Sequence, residues 1–214
     1  MKEYPILFSG PMVRALMSDQ KSETRRLDLK WLRVRPGDRV WCRETWRTYT
    51  LDDGTNGILF RADGRFVSIE DTATAADRWV EAHENGRHDG KRRPSIFMRR
   101  WMCRLELVVG EVRREPVYEI DEAGAIREGM LTLAPNGLLE MGGTRRKLLG
   151  MLETATGRKE TWESFGRFWN DMGARDRYVA AWCALHGIES WRSNPEVVVI
   201  GGMKRITARV AQGE

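Results

Sequence analysis

Tyr4-Pro5-Ile6-Leu7-Phe8-Ser9-Gly10-Pro11-Met12-Val13-Arg14-Ala15-Leu16-Met17-Ser18-Asp19-Gln20-Lys21-Ser22-Glu23-Thr24-Arg25-Arg26 reads as a strand, a short helix, and a loop that turns into a second strand. Tyr4 to Ser9 is a β-favouring run that Gly10-Pro11 brings to an end. Pro11 suits the first position of a helix, where its missing N–H is not needed. Val13, Leu16 and Met17 recur at i, i+3 and i+4, the apolar stripe of an amphipathic helix. The stripe stops near Ser18-Asp19-Gln20, and Lys21 to Leu27 has no helical period, as expected of a loop entering a strand.

Outward from this stretch the chain keeps mixing strands with helices. Pro36-Gly37-Asp38 is a turn signal, and Arg39 to Trp46 after it is rich in β-favouring residues. Asp52-Asp53-Gly54 and Asn56-Gly57 mark turns around Ile58-Leu59-Phe60. Residues 72–86 are alanine-rich and suit a helix, whereas 87–95 are polar and basic and suit an exposed loop. Asp121 to Gly129 reads as one short helix, with acids at its start and glycine at its end. Residues 131–159 hold no sustained period and read as an insertion or mobile flap. Trp162, Phe165, Trp169 and Met172, then Tyr178, Ala181, Trp182 and Leu185, fall at helical spacing and predict helices packed on a sheet. Val197-Val198-Val199-Ile200 suits a central strand buried on both faces. Core strands are expected at Ile6–Phe8, Val40–Trp46, Leu105–Val112 and Val197–Ile206. With only one short crossover, the fold class is α+β. A mixed or antiparallel sheet closing into a small barrel fits better than a doubly wound sheet.

Composition bounds the function. The 214 residues include 41% apolar and 31% charged residues, which suits a globular domain and argues against disorder. A single domain over residues 1–214 is expected. No run of about 18 apolar residues occurs, so a membrane partner is not expected. Met1 to Pro5 has no apolar h-region, so the expected location is cytoplasmic. A net charge of +5 permits a phosphate-bearing partner without demanding one. Cys42, Cys103 and Cys183 are scattered, with no CxxC, and suit reduced, mostly buried thiols. The nine tryptophans read mainly as packing residues.

Most familiar chemistries lack their motifs. Neither GxGxxG nor GxxxxGK[ST] occurs, so no nucleotide cofactor held in those ways is expected, and none of any other kind. His83, His88 and His186 lack metal-ligand spacing, so no metal site is expected and core or solvated histidines are the simpler reading. No GxSxG elbow is present. Lys21-Ser22-Glu23-Thr24-Arg25-Arg26 is different, because it gathers an amine, two hydroxyls and two guanidiniums just past a helix end. Lys21 and Thr24 are three apart, so amine and hydroxyl can meet if the loop turns. A lysine with a burial-lowered pKa can act as a base toward a hydroxyl, and Arg25 and Arg26 can bind phosphate or a carbonyl oxygen. A lysine there can equally well neutralise helix carbonyls, and spacing alone favours that plainer role.

The same segment resembles the GxKTxTxR signature of ASCH domains, a branch of the PUA-like superfamily. Pro36 to Trp46 resembles the PGDxLWVRETW block of phage and prophage members, and Arg93 to Trp101 their RPSIHMPRWASR block. Glu119 to Gly129 is similar to their DITEEDAIAEG helix, and Trp169-Asn170, Asn194-Pro195 and Val197 to Ile206 to their closing blocks. These blocks are collinear over nearly the whole chain. The resemblance implies a PUA-like mixed β pseudobarrel with flanking helices that binds RNA or modified bases. It also implies a relation to amidohydrolases that release cytidine from N4-acetylcytidine, while other members are similar to ribonucleases. Carried over by position, the catalytic residues are Lys21, Thr24 and Glu128. Asp19 stands where the family has glycine, and Ser22 where it has threonine.

Residues 87–104 hold Arg87, Lys91, Arg92, Arg93, Arg99, Arg100 and Arg104 against Asp89 alone, with Trp101 beside Arg100. Such a block can track a nucleic-acid backbone, or can simply be a solvated loop with a core tryptophan. The expected cleft is therefore lined by Lys21, Ser22, Thr24, Arg25, Arg26, Glu44 and Glu128, with Arg99, Arg100 and Trp101 at its edge. Its expected ligand is a modified nucleoside or nucleotide, or single-stranded RNA, bound by a reader module or hydrolysed by an enzyme.

Overall fold

The computed structural model describes residues 1–84, 91–142 and 144–206. In chain order they form β1 (Glu3–Leu7), α1 (Gly10–Met17), β2 (Thr24–Arg26), β3 (Arg39–Arg43), β4 (Trp46–Thr50), β5 (Asn56–Phe60), β6 (Phe66–Ser68), α2 (Ala73–Glu84), β7 (Glu106–Val108) and β8 (Glu111–Pro116). Then come α3 (Glu122–Arg127), α4 (Pro135–Glu140), α5 (Arg145–Thr156), α6 (Trp162–Asp171), α7 (Ala174–His186), α8 (Ile188–Arg192), β9 (Glu196–Gly201) and β10 (Lys204–Ile206). The fold is α+β. Its strands make three sheets, ordered β1-β3-β7-β10, β2-β9-β8 and β4-β5-β6, and among the described residues no barrel closes. All pairs are antiparallel except β1 with β3.

Three of the long strands expected from sequence are each two strands in different sheets. The run from Val40 to Trp46 breaks at Glu44-Thr45 between β3 and β4, and the run from Leu105 breaks at Val109-Gly110 between β7 and β8. The last run breaks at Gly202-Met203 between β9 and β10. Strands that switch sheets need a sharp bend, and glycine is where a bend and a close backbone approach are tolerated. Gly202 has φ +58, and a Cβ added to Gly110 would stand 2.7 Å from the Gly202 carbonyl oxygen. The two glycines make a corner at which the first two sheets exchange strands.

The main core forms around β9, whose Val197 to Ile200 are fully buried as the apolar run predicts. α1 presents Val13 and Leu16 to it, and α7 presents Tyr178, Ala181 and Trp182. Residues 131–159 are not irregular. They carry α4 and α5, and Leu133, Leu138, Leu148 and Leu152 are buried in the main core. Two short helices interrupted by glycines leave no run long enough to show a period, which is why the sequence reads as patternless there. A satellite cluster of Trp46, Ile58, Phe60, Trp79, Ala82, Met98 and Met102 fills the space between the third sheet and α2. No helix of the described residues is long and apolar enough to cross a membrane.

The corner sets the first expectation. Gly110→Ala forces backbone against backbone and should destabilise the fold by about 1–3 kcal/mol, read as a lower urea midpoint at unchanged slope.

Candidate functional site

The loop after α1 is set by backbone hydrogen bonds before its side chains act. Asp19 takes the left-handed φ of +57, a conformation that Asp tolerates better than most residues. This is the position where the ASCH pattern has glycine, and the Asp19 carboxylate pairs with Arg205 at 3.1 Å. Gln20 and Lys21 N–H both donate to the Ala15 carbonyl, and Ser22 and Glu23 N–H both donate to the Arg127 carbonyl. The loop is thus sewn to the end of α3. That helix begins where Asp121 accepts from Gly124 N–H and ends at Gly129, with φ +86. A Cβ on Gly129 would come within 3.3 Å of the Lys21 Cβ, so glycine leaves room for the lysine.

Lys21 then turns inward. Its Nζ donates to the Glu23 carbonyl at 2.7 Å, the Glu128 carbonyl at 2.9 Å and Glu128 Oε2 at 2.6 Å. Three acceptors use all three protons of an ammonium. The amine therefore caps the carbonyl end of α3, the kind of role that spacing alone favours though on a different helix, and does not bond to the Thr24 hydroxyl. Glu128 Oε1 accepts from the Arg25 backbone N–H at 2.6 Å, so one carboxylate ties the lysine loop to β2. Burial lowers the Lys21 pKa, the Glu128 charge opposes that, and Arg26 and Arg25 add to the lowering.

Around this pair lies a network of compensated charge. Arg25 donates Nε and Nη2 to Glu115 at 3.0 and 2.7 Å, and its Nη1 is 2.7 Å from Glu23 Oε1. Glu23, wholly buried, also faces Arg113 at 3.3 Å and Arg127 at 3.1 Å. Arg113 in turn reaches Glu111 and Glu115.

Thr24, Arg25, Arg26, Lys21 and Glu128 line one cleft of about 390 Å³, within the usual range of small-molecule sites. Its other walls are Leu7, Phe8 and Ser9 from the end of β1, Met12, Met130 and Met141, and Tyr178, Ala181, Trp182, Leu185 and His186 from α7. The Thr24 hydroxyl makes no hydrogen bond among the described residues. Arg26 donates to the Leu7 carbonyl at 2.8 Å, lies 5.0 Å from the Phe8 ring centre, and has no ion pair among the described residues. Burial and the nearby Arg26 charge lower the His186 pKa. The sequence treats His186 as an ordinary core or solvated residue and the α7 stripe as packing alone. The overlooked signal is Trp182 and His186, one helical turn apart and so on the same face.

Other expected residues lie elsewhere. Ser22 is held through its backbone, with its carbonyl accepting from Met203 N–H, and it does not line the cleft. Glu44 is buried in a two-pronged pair with Arg104, at 2.8 Å for each bond, and Arg104 also reaches Asp63. Arg99 pairs with Glu81, and Arg100 with Glu3 and Glu106. Trp101 borders a separate cavity of about 140 Å³ beside Phe60 and Cys103. None of these lines the cleft, because Arg93 pairs with Trp46 in a β-bridge that docks the following segment on the satellite cluster. Arg87, His88 and Asp89 lie outside the described residues. Among the described residues no group of His, Cys, Asp and Glu is arranged to hold a metal ion.

Scans of the chain against protein-family models, curated proteins and solved structures find no match in any of the three.

Two outcomes follow from this geometry. Glu23→Ala leaves the buried Nη1 of Arg25 without its carboxylate while Glu115 still holds the other side of the guanidinium, and should cost about 1–3 kcal/mol. Arg127→Ala, with a side chain 43% exposed, should cost under about 1 kcal/mol; urea titration separates the two. The NMR titration midpoint of His186 should lie below the 6.5 of a free imidazole and rise toward it in Arg26→Gln. With the folded pKa below the unfolded one, the unfolded chain binds the proton first, so this residue removes stability as pH falls below 6.5.

Proposed function

We propose that this chain is an ASCH-type member of the PUA-like superfamily, its first two sheets serving as the pseudobarrel, and that its cleft hydrolyses an N4-acylated cytidine or related modified nucleoside. One observation carries the reading. A buried amine–carboxylate pair, Lys21 with Glu128, lines the same nucleoside-sized cleft as Thr24, a hydroxyl with no partner among the described residues.

The chemistry is acyl transfer. Within the 2.6 Å bond the proton of Lys21 passes to Glu128. Nζ then turns from Glu128 Oε2 to the Thr24 hydroxyl, to which it is not bonded in the resting cleft, and its lone pair takes that proton. Burial lowers the Lys21 pKa and so favours its neutral form. The Thr24 oxygen attacks the acyl carbonyl, and the tetrahedral intermediate collapses as Glu128 returns its proton to the departing exocyclic nitrogen. Cytidine leaves, and the acyl group remains on Thr24 as an ester. Water, deprotonated by the same pair, then releases the carboxylic acid. A lysine base beside a hydroxyl nucleophile is an accepted variant of the triad logic.

The three acceptors on Lys21 also favour a second reading, a modified-base reader in which the pair only shapes the pocket. Incubation with N4-acetylcytidine and with single-stranded RNA, followed by chromatography, separates the possibilities. Thr24→Val should abolish cytidine release while leaving the melting temperature close to that of the wild type, since the hydroxyl has no bond to lose. Lys21→Ala should lower the rate by about 10²–10⁴-fold. Binding without product would identify the reader, and cleaved RNA a ribonuclease.

A further inference from the structure

Among the described residues, two of the three cations that line the cleft are compensated by carboxylates and one is not. Lys21 has Glu128 at 2.6 Å, and Arg25 has Glu115 and Glu23, each at 2.7 Å. Arg26 has neither. It is half-buried, its Nε is closed off from solvent, and among the described residues Nε has no partner and the guanidinium donates only to the Leu7 carbonyl. Removing a guanidinium from water is costly without an anion beside it. Glu128, the carboxylate nearest in charge to Arg26, is already bonded to Lys21 and to the Arg25 backbone. No carboxylate of the cleft remains for Arg26.

We propose that Arg26 is the subsite for the phosphate of a nucleoside monophosphate, so that the ligand of the cleft is an anionic pyrimidine nucleotide and not a neutral nucleoside. The guanidinium fork matches phosphate oxygens. Phe8 holds the guanidinium from one side, and the Trp182 and Met12 walls leave apolar surface for the base. A cleft of about 390 Å³ backed by α7 suits one nucleotide. This rests on the cleft assignment made above and adds the charge of its ligand.

The test is calorimetric binding of cytidine, cytidine 5′-monophosphate and cytidine 3′-monophosphate to the full chain, with inorganic phosphate as competitor. One monophosphate should bind about tenfold or more tightly than cytidine, since hydrogen bonds to charged groups are the strong ones. Phosphate should compete, and added salt should weaken the nucleotide but not the nucleoside. Arg26→Gln should remove the preference, and Arg26→Lys, which keeps the charge, should retain part of it. If Arg26→Gln fails to fold, phosphate competition and salt dependence on the wild type decide instead. Equal affinity for cytidine and both monophosphates, or binding of neither, overturns the proposal. So does an oligoribocytidylate that binds far more tightly than any mononucleotide, which would assign Arg26 to a strand phosphate. Turnover is scored separately. No release from N4-acetylcytidine or its monophosphate, with the nucleotide preference intact, removes the hydrolase and leaves the anion subsite. Release without such a preference removes the subsite and leaves the hydrolase.

Discussion

The Glu128 carboxylate holds the centre of this molecule together. One oxygen takes the Lys21 ammonium and the other takes the Arg25 backbone N–H. Helix α3, the loop after α1 and strand β2 therefore meet on a single side chain. Burying an amine without a counter-charge costs several kcal/mol, so the loop can close over Lys21 only when α3 is docked. Docking of α3 in turn depends on Ser22 and Glu23 donating to the Arg127 carbonyl. The loop and the cleft floor are thus held by the same bonds.

Around that point, polar and apolar constraints divide the work. Glu23, Arg25, Glu115 and Arg113 form a lattice that spans β2 and β8, the two strands flanking β9. The apolar run Val197 to Ile200 lies between them and supplies the hydrophobic stabilisation. Charged residues hold the edge strands in register, and the valines hold the centre. The price of this arrangement is Arg26, the next residue along β2, which falls beyond the reach of the lattice and faces the cleft.

The third sheet and α2 stand apart from this machinery. Their cluster is linked to the main body through Arg104, which bonds Glu44 and Asp63. The basic residues Arg99 and Arg100 spend their charge on carboxylates of α2, β1 and β7. Within the described part of this cationic block, Arg99, Arg100 and Arg104 are compensated, because tertiary contacts bring Glu81, Glu3, Glu106, Glu44 and Asp63 to them.

Local sequence determined several of the elements and part of the cleft floor. The stripe Val13-Leu16-Met17, the acids and glycine bounding α3, and the apolar run of β9 each declare themselves through periodicity or capping, which depend on near neighbours alone. Lys21, Thr24, Arg25 and Arg26 were legible because they sit together in six residues after a helix end. Only the tertiary structure decided that Lys21 bonds Glu128 instead of Thr24, since that choice depends on a helix 107 residues away. It also decided that the long strands bend at Gly110 and Gly202 into different sheets, and that Trp182 and His186 of α7 close the cleft. Pairing of buried charges and the placing of a distant helix depend on which surfaces meet, and a linear pattern does not encode that meeting.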